Sequence, residues 1–145
     1  VGENSVTCEK SELHGIDIDC DNIPDMVPAI AVTAAFAKGK TVIRGAQRLR
    51  FKESDRIEAI VSNLRKMGVD VAETDDGMII NPCCVCSAQL KGYNDHRIVM
   101  AFSVAGLFAK GKICIDEAES VNKTYPSFFD DFNKLGGKAN VINAG

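Results

Sequence analysis

The chain has 145 residues, 46% of them hydrophobic and 26% charged, and a formal net charge of −3. That length and composition belong to one ordinary globular domain able to bury roughly 68–70% of its unfolded surface, and the acidic balance excludes a general nucleic-acid-binding surface. The longest apolar runs, Val27 to Ala37 and Ile98 to Ala109, are too short or too interrupted to span a bilayer, so the expectation is a soluble cytoplasmic protein with no membrane or nucleic-acid partner.

Residues 1–15 carry one short strand candidate, Val6-Thr7-Cys8, and no core of their own, so they read as the end of a preceding unit. Ile16 to Cys20 alternates apolar and polar side chains, the two-residue period of a half-buried strand. Pro24-Asp25 then opens an almost wholly apolar helix, Met26 to Ala37, in which Pro28 is tolerable only in a first turn. Lys38-Gly39-Lys40 ends it, and Thr41-Val42-Ile43 forms a β-branched strand.

Next comes Arg50-Phe51-Lys52-Glu53-Ser54-Asp55-Arg56, in which five of seven side chains are charged. Ile57, Ile60, Val61, Leu64 and Met67 follow at helical spacing and stop at Gly68. Asp55 and Glu58 have the spacing of a capping box, with Ser54 as an alternative cap. The heptad is therefore a loop feeding a helix N-terminus, where free N–H groups and the helix dipole favour anions. A solvated helix start whose charges pair with one another is the alternative. Val69 to Glu73, the turn Asp75-Asp76-Gly77 and Met78 to Ile80 then read as a hairpin.

The second half repeats the first. Phe36-Ala37-Lys38-Gly39-Lys40 returns as Phe108-Ala109-Lys110-Gly111-Lys112, again between an apolar helix, here from Ile98, and an apolar strand, Ile113 to Ile115. A polar loop, Asp116 to Thr124, leads to a second amphipathic helix with Pro126 near its start and Phe128, Phe129, Phe132 and Leu135 as its apolar set. Gly136-Gly137 ends that helix, and Ala139 to Ile142 is expected to close the unit as a strand. The reading is an α/β protein of tandem units, 16–82 and 83–145, with helices buried between sheets. Cys8, Cys20 and Cys114 stand apart and only Cys83, Cys84 and Cys86 cluster. Neither His14 nor His96 completes a zinc spacing, so the expectation is no metal and reduced thiols.

Charge gathers where loops enter helices: Asp25, Lys52, Glu53, Arg56, His96, Arg97 and Lys123. Several helix N-termini together with Lys and Arg make a focused anion site, and carboxylates inside it are suited to moving protons.

These stretches, Ile23-Pro24-Asp25, Arg50 to Arg56, Asn94-Asp95-His96-Arg97 and Lys123-Thr124-Tyr125-Pro126, resemble in order and context the C-terminal motifs of the EPSP synthase family, the 3-phosphoshikimate 1-carboxyvinyltransferases. The resemblance implies the enolpyruvyl transferase fold, an inverted α/β barrel-like lobe of βαβαββ units with buried helices and sheets outside. It implies about two units of the C-terminal lobe, with the N-terminal lobe absent, from a parent that is a monomer.

It also implies transfer of the enolpyruvyl group of phosphoenolpyruvate to the 5-hydroxyl of shikimate 3-phosphate, with release of phosphate and no metal or organic cofactor. By that resemblance Asp25, Lys52 and Glu53 are catalytic, and Asp25 and Lys52 also contact shikimate 3-phosphate. Arg56, Arg97 and Lys123 bind phosphoenolpyruvate, with His96 in support, whereas Arg50 is expected to make a structural ion pair. Gln47 and Arg48 depart from the residues usual in the family just before the heptad. The missing half of the cleft implies an inactive chain, because transition-state binding needs a closed site. The alternatives are a non-catalytic domain that binds a phosphorylated ligand or serves only as scaffold, and the related transferase acting on UDP-N-acetylglucosamine.

Overall fold

A computed structural model describes residues 2–142. The first half runs β1 (Asp17–Asp19), a 3₁₀ turn (Pro24–Met26), α1 (Val27–Ala34), β2 (Thr41–Arg44), a second 3₁₀ turn (Gln47–Phe51), α2 (Arg56–Lys66), β3 (Asp70–Thr74) and β4 (Gly77–Asn81). Its four strands form one sheet in the order β1-β2-β4-β3, with β1 parallel to β2 and the other pairs antiparallel. The second half supplies β5 (Cys86–Leu90), α3 (His96–Ala105), β6 (Lys110–Ile115), a third 3₁₀ turn (Ala118–Lys123) and α4 (Phe128–Lys134), with β5 parallel to β6 in a separate sheet.

The first three α-helices pack on one another, and the sheets cover them from outside. α2 is the innermost element. Ile57, Ile60, Val61, Leu64 and Met67 are each at most 1% exposed, which is the burial expected of their helical spacing. The predicted cap is present, since the Asp55 side chain accepts the Glu58 N–H at 3.0 Å. Gly68 ends the helix with φ +86°, a conformation that side chains resist. Gly77 is needed for a different reason. A Cβ there would stand 2.0 Å from the Ile43 carbonyl oxygen, so only glycine lets the hairpin lie this close to β2.

Several expectations need correction. Val6 to Cys8 pairs with no strand and is exposed. α1 is shorter at both ends than Met26 to Ala37, because Pro24 to Met26 winds as a 3₁₀ turn and the chain leaves the helix after Ala34. β1 is confined to Asp17–Asp19 with Ile16 49% exposed, as befits a strand bonded on one side only. α4 forms, but buries none of its residues, and Leu135 is 89% exposed. Ala139 to Ile142 has no strand partner among the described residues, so the expected closing strand does not form. These last two differences share a cause. In the first half a hairpin completes the sheet over α2, whereas β6 is bonded only to β5, leaving α4 and the tail nothing equivalent to pack on.

Candidate functional site

The site begins with the entry to α2. Leu49, fully buried in the second 3₁₀ turn, anchors the charged heptad, and the loop then releases Lys52 and Glu53 toward solvent before Asp55 caps the helix. Arg56 is the first residue of α2, so its side chain is drawn beneath the loop, where it is 1% exposed. Three carboxylates from three segments meet it there. Its Nε donates to Asp95 Oδ2 at 2.8 Å, Nη1 to Asp25 Oδ1 at 3.0 Å, and Nη2 to Glu53 Oε2 at 2.6 Å.

Asp95 is fully buried and does three things. Besides holding Arg56, it caps α3 by accepting the Arg97 N–H at 2.9 Å, and it accepts the Ser54 hydroxyl at 3.0 Å. Burial opposes both charges of the Asp95–Arg56 pair. The hydrogen bonds and ion pairing prevail, holding the Asp95 carboxyl below the ordinary carboxylate range and strengthening the guanidinium's hold on its proton. Desolvated donors and acceptors so fully matched fix the spacing between the α2 and α3 N-termini.

Above this floor lies a half-exposed layer. Asp25, 47% exposed in its side chain, accepts Arg97 Nη2 at 3.1 Å and has Lys52 Nζ at 3.7 Å. Arg97 and Lys52 are each 37% exposed and Glu53 42%, so these groups can exchange their present partners for a ligand. Lys123, at the end of the third 3₁₀ turn, donates its ammonium to the Asn94 carbonyl beside the α3 cap. That contact ties the fourth loop to the other three. Tyr93 and Asn94 hold left-handed φ values of 56° and 47°, and the Asn94 N–H is received by Glu117 at 2.9 Å.

Asp25, Lys52, Glu53, Arg56 and Arg97 thus form one connected network, joined through the Asn94 to Asp95 segment by Lys123. His96 is 5% exposed at the start of α3, and no group among the described residues meets its Nδ1. Arg50 makes the expected structural pair: it reaches Asp55 at 3.1 Å and Glu73 at 2.9 Å, and Glu73 first and then Asp55 strengthen its hold on its proton. Gln47 and Arg48 open the second 3₁₀ turn, and Arg48 faces Asp21 at 3.7 Å. Sequence reasoning gave Asp95 no role. Nothing in the local pattern points to it as the buried partner of an arginine 39 residues away. Among the described residues no cluster of three or more His, Cys, Asp or Glu is arranged to hold a metal ion.

An α/β repeat of helices inside sheets, with cations and carboxylates gathered at one set of helix entries, defines a domain of the enolpyruvyl transferase architecture. The solved enolpyruvyl transferase NikO from Streptomyces tendae shares this fold with a TM-score of 0.75 at 21% identity, over 94% of this chain and 31% of that one. The chain belongs to the EPSP synthase (3-phosphoshikimate 1-carboxyvinyltransferase) family, whose model matches residues 1–132. A 3-phosphoshikimate 1-carboxyvinyltransferase from Methanocella arvoryzae is 50% identical over 94% of this chain and 32% of its own length. EPSP synthase from Acinetobacter baumannii superposes with a TM-score of 0.85 at 36% identity, covering 91% of this chain and 32% of that structure. The chain therefore spans about a third of the length of the relatives it matches. No helix among the described residues is long and apolar enough to cross a membrane.

Proposed function

We propose that this chain supplies one wall of the active site of a cytoplasmic 3-phosphoshikimate 1-carboxyvinyltransferase, as two tandem units, 16–82 and 83–145, of a larger monomeric enzyme, the first βαβαββ and the second βαβα among the described residues. In that reaction a proton is added to the methylene carbon of phosphoenolpyruvate, which makes the adjacent carbon electrophilic. The 5-hydroxyl of shikimate 3-phosphate adds there, and phosphate then leaves as a proton is lost from the new methyl group. Glu53 exchanges the methylene proton, since it is half-exposed and hydrogen-bonded to a permanent cation. Asp25 receives the hydroxyl proton, and Lys52, beside it, shares proton transfer and contacts shikimate 3-phosphate.

Arg97, Lys123 and Arg56 hold the phosphate and carboxylate of phosphoenolpyruvate, with His96 supporting them from beneath. Every nitrogen of the Arg56 guanidinium is already engaged by a carboxylate. A ligand oxyanion therefore reaches Arg56 by replacing Asp25 or Glu53, in the bidentate manner guanidinium favours. The observation that carries this reading is the convergence of Lys52, Arg56 and Arg97 on the Asp25 carboxylate, three cations from separate positions around a group that an anionic substrate can displace.

Calorimetric titration of phosphoenolpyruvate and shikimate 3-phosphate into the chain tests it. Weak binding that disappears in Arg97→Ala and in Lys52→Ala is the expected result. Heat that is unchanged in both variants, or no binding up to millimolar ligand, overturns the claim that the wall is a ready-made anion site.

A further inference from the structure

The segment joining the two halves carries chemistry that the anion site does not use. Cys83-Cys84-Val85-Cys86 leads from β4 into β5, and its three thiols are exposed while Val85 between them is buried. Cys83 and Cys86 stand at Cys-x-x-Cys spacing, the separation found in redox-active dithiols. Their sulfurs also turn to one point. The Cys83 and Cys86 Sγ atoms lie 3.8 and 3.5 Å from the same Cys84 carbonyl oxygen, so they are no more than about 7 Å apart.

Backbone contacts fix the segment against the end of α2. The Cys86 N–H donates to the Met67 carbonyl at 2.9 Å, and the Cys83 thiol donates to the Gly68 carbonyl at 2.7 Å. An open cleft of about 330 Å³ adjoins the segment, lined by Phe36, Phe108, Lys110, Cys83 and Cys84, with Cys86 just beyond it in sequence. It gives a small reagent access, and Lys110 offers an ammonium to a reagent bearing carboxylates.

We propose that Cys83 and Cys86 form a modification site, a dithiol that is oxidised to an intramolecular disulfide by exchange with a small-molecule disulfide of the glutathione class. One cysteine, as thiolate, attacks a sulfur of the reagent; the S–S bond breaks, one thiol leaves, and a mixed disulfide remains on the protein. The second thiolate attacks that protein sulfur and expels the other thiol. The two cysteines are thereby oxidised and one reagent disulfide is reduced to two thiols, the protons passing to those products. Closing the bond to about 2 Å takes the Cys83 thiol off the Gly68 carbonyl, so oxidation removes a side-chain contact with the residue that ends α2.

Differential alkylation gives the test. The chain is equilibrated with reduced and oxidised glutathione, blocked with a light alkylating reagent, reduced, and blocked again with a heavy one. Heavy label is expected on Cys83 and Cys86 together, and the unreduced peptide that spans them should be lighter by two hydrogens. The same pair should be labelled in Cys84→Ser, and Cys86→Ser should instead retain one glutathionyl group on Cys83. Cys8, an exposed thiol outside the cluster, should form only a mixed disulfide. The proposal is overturned by heavy label on Cys84 in place of either partner, by a covalent dimer of chains, or by Cys83 and Cys86 staying light while Cys8 is oxidised.

Discussion

Arg56 and Asp95 differ from the charged residues around them in having no water to retreat to. Removing either one leaves a buried charge without its principal partner, a change that costs about 3–5 kcal/mol in comparable pairs. Asp95→Asn is accordingly expected to lower urea-unfolding stability by about 3 kcal/mol or more, despite its nearly unchanged shape. The same residue predicts a pH dependence. Its folded carboxyl titrates below the unfolded value of about 3.9, so its contribution is whole above that pH and is lost as the pH falls through the lower folded value. Wild-type stability should drop below about pH 4, and Asp95→Asn should lack that component of the fall. Arg97 and Lys52, more than a third exposed, should behave in the opposite sense. Their alanine variants are expected to change stability by no more than about 1 kcal/mol while weakening ligand binding at least tenfold, phosphoenolpyruvate for Arg97→Ala and shikimate 3-phosphate for Lys52→Ala, a division visible by comparing unfolding with titration.

At the level of elements, two helices with similar amphipathic patterns have different energetic weight. α2 is enclosed by β3, β4, β5 and the other two long helices, so Ile60→Ala should cost about 2–5 kcal/mol. α4 has no sheet against it, and Leu135→Ala should stay within about 0.5 kcal/mol. Chemical unfolding of the two variants measures the contrast; equal losses would mean that α4 is packed in solution. The periodicity of α2 and its Asp55 cap were legible in the sequence because they are local, set by side chains three and four residues apart. β5 was not read from its own residues, as Cys86 to Leu90 has only a weak alternation. The repeat required it all the same, since a strand precedes α1 and α3 is its counterpart.

For the molecule as a whole, the proposed site is one wall of a cleft. Asp25, Glu53 and Lys52 face solvent, and differential binding of a transition state needs water excluded from both sides. The chain by itself is therefore expected to release no phosphate from phosphoenolpyruvate and shikimate 3-phosphate in a continuous phosphate assay, even where titration detects binding. Turnover that disappears in Arg97→Ala would overturn that expectation, and would mean that this wall alone assembles a competent site. Apolar side chains are left exposed near the ends of α1 and α3, Met26 at 53% and Phe108 at 66%.

The sequence by itself determined the α/β class, the order of helices and strands through the first half, the tandem repeat and the loops in which cations and carboxylates collect. Each of these depends on periodicity, capping or turn chemistry acting over a few residues. Tertiary structure alone decided which charges are buried. Arg56 and Lys52 lie four residues apart in one motif, yet the first is locked beneath the loop by Asp95 and the second remains open to solvent. It also decided that α4 is at most half-buried while α2 is enclosed. Burial depends on what packs across from a residue, and neither the sheet over α2 nor an aspartate 39 positions away is encoded in the local pattern.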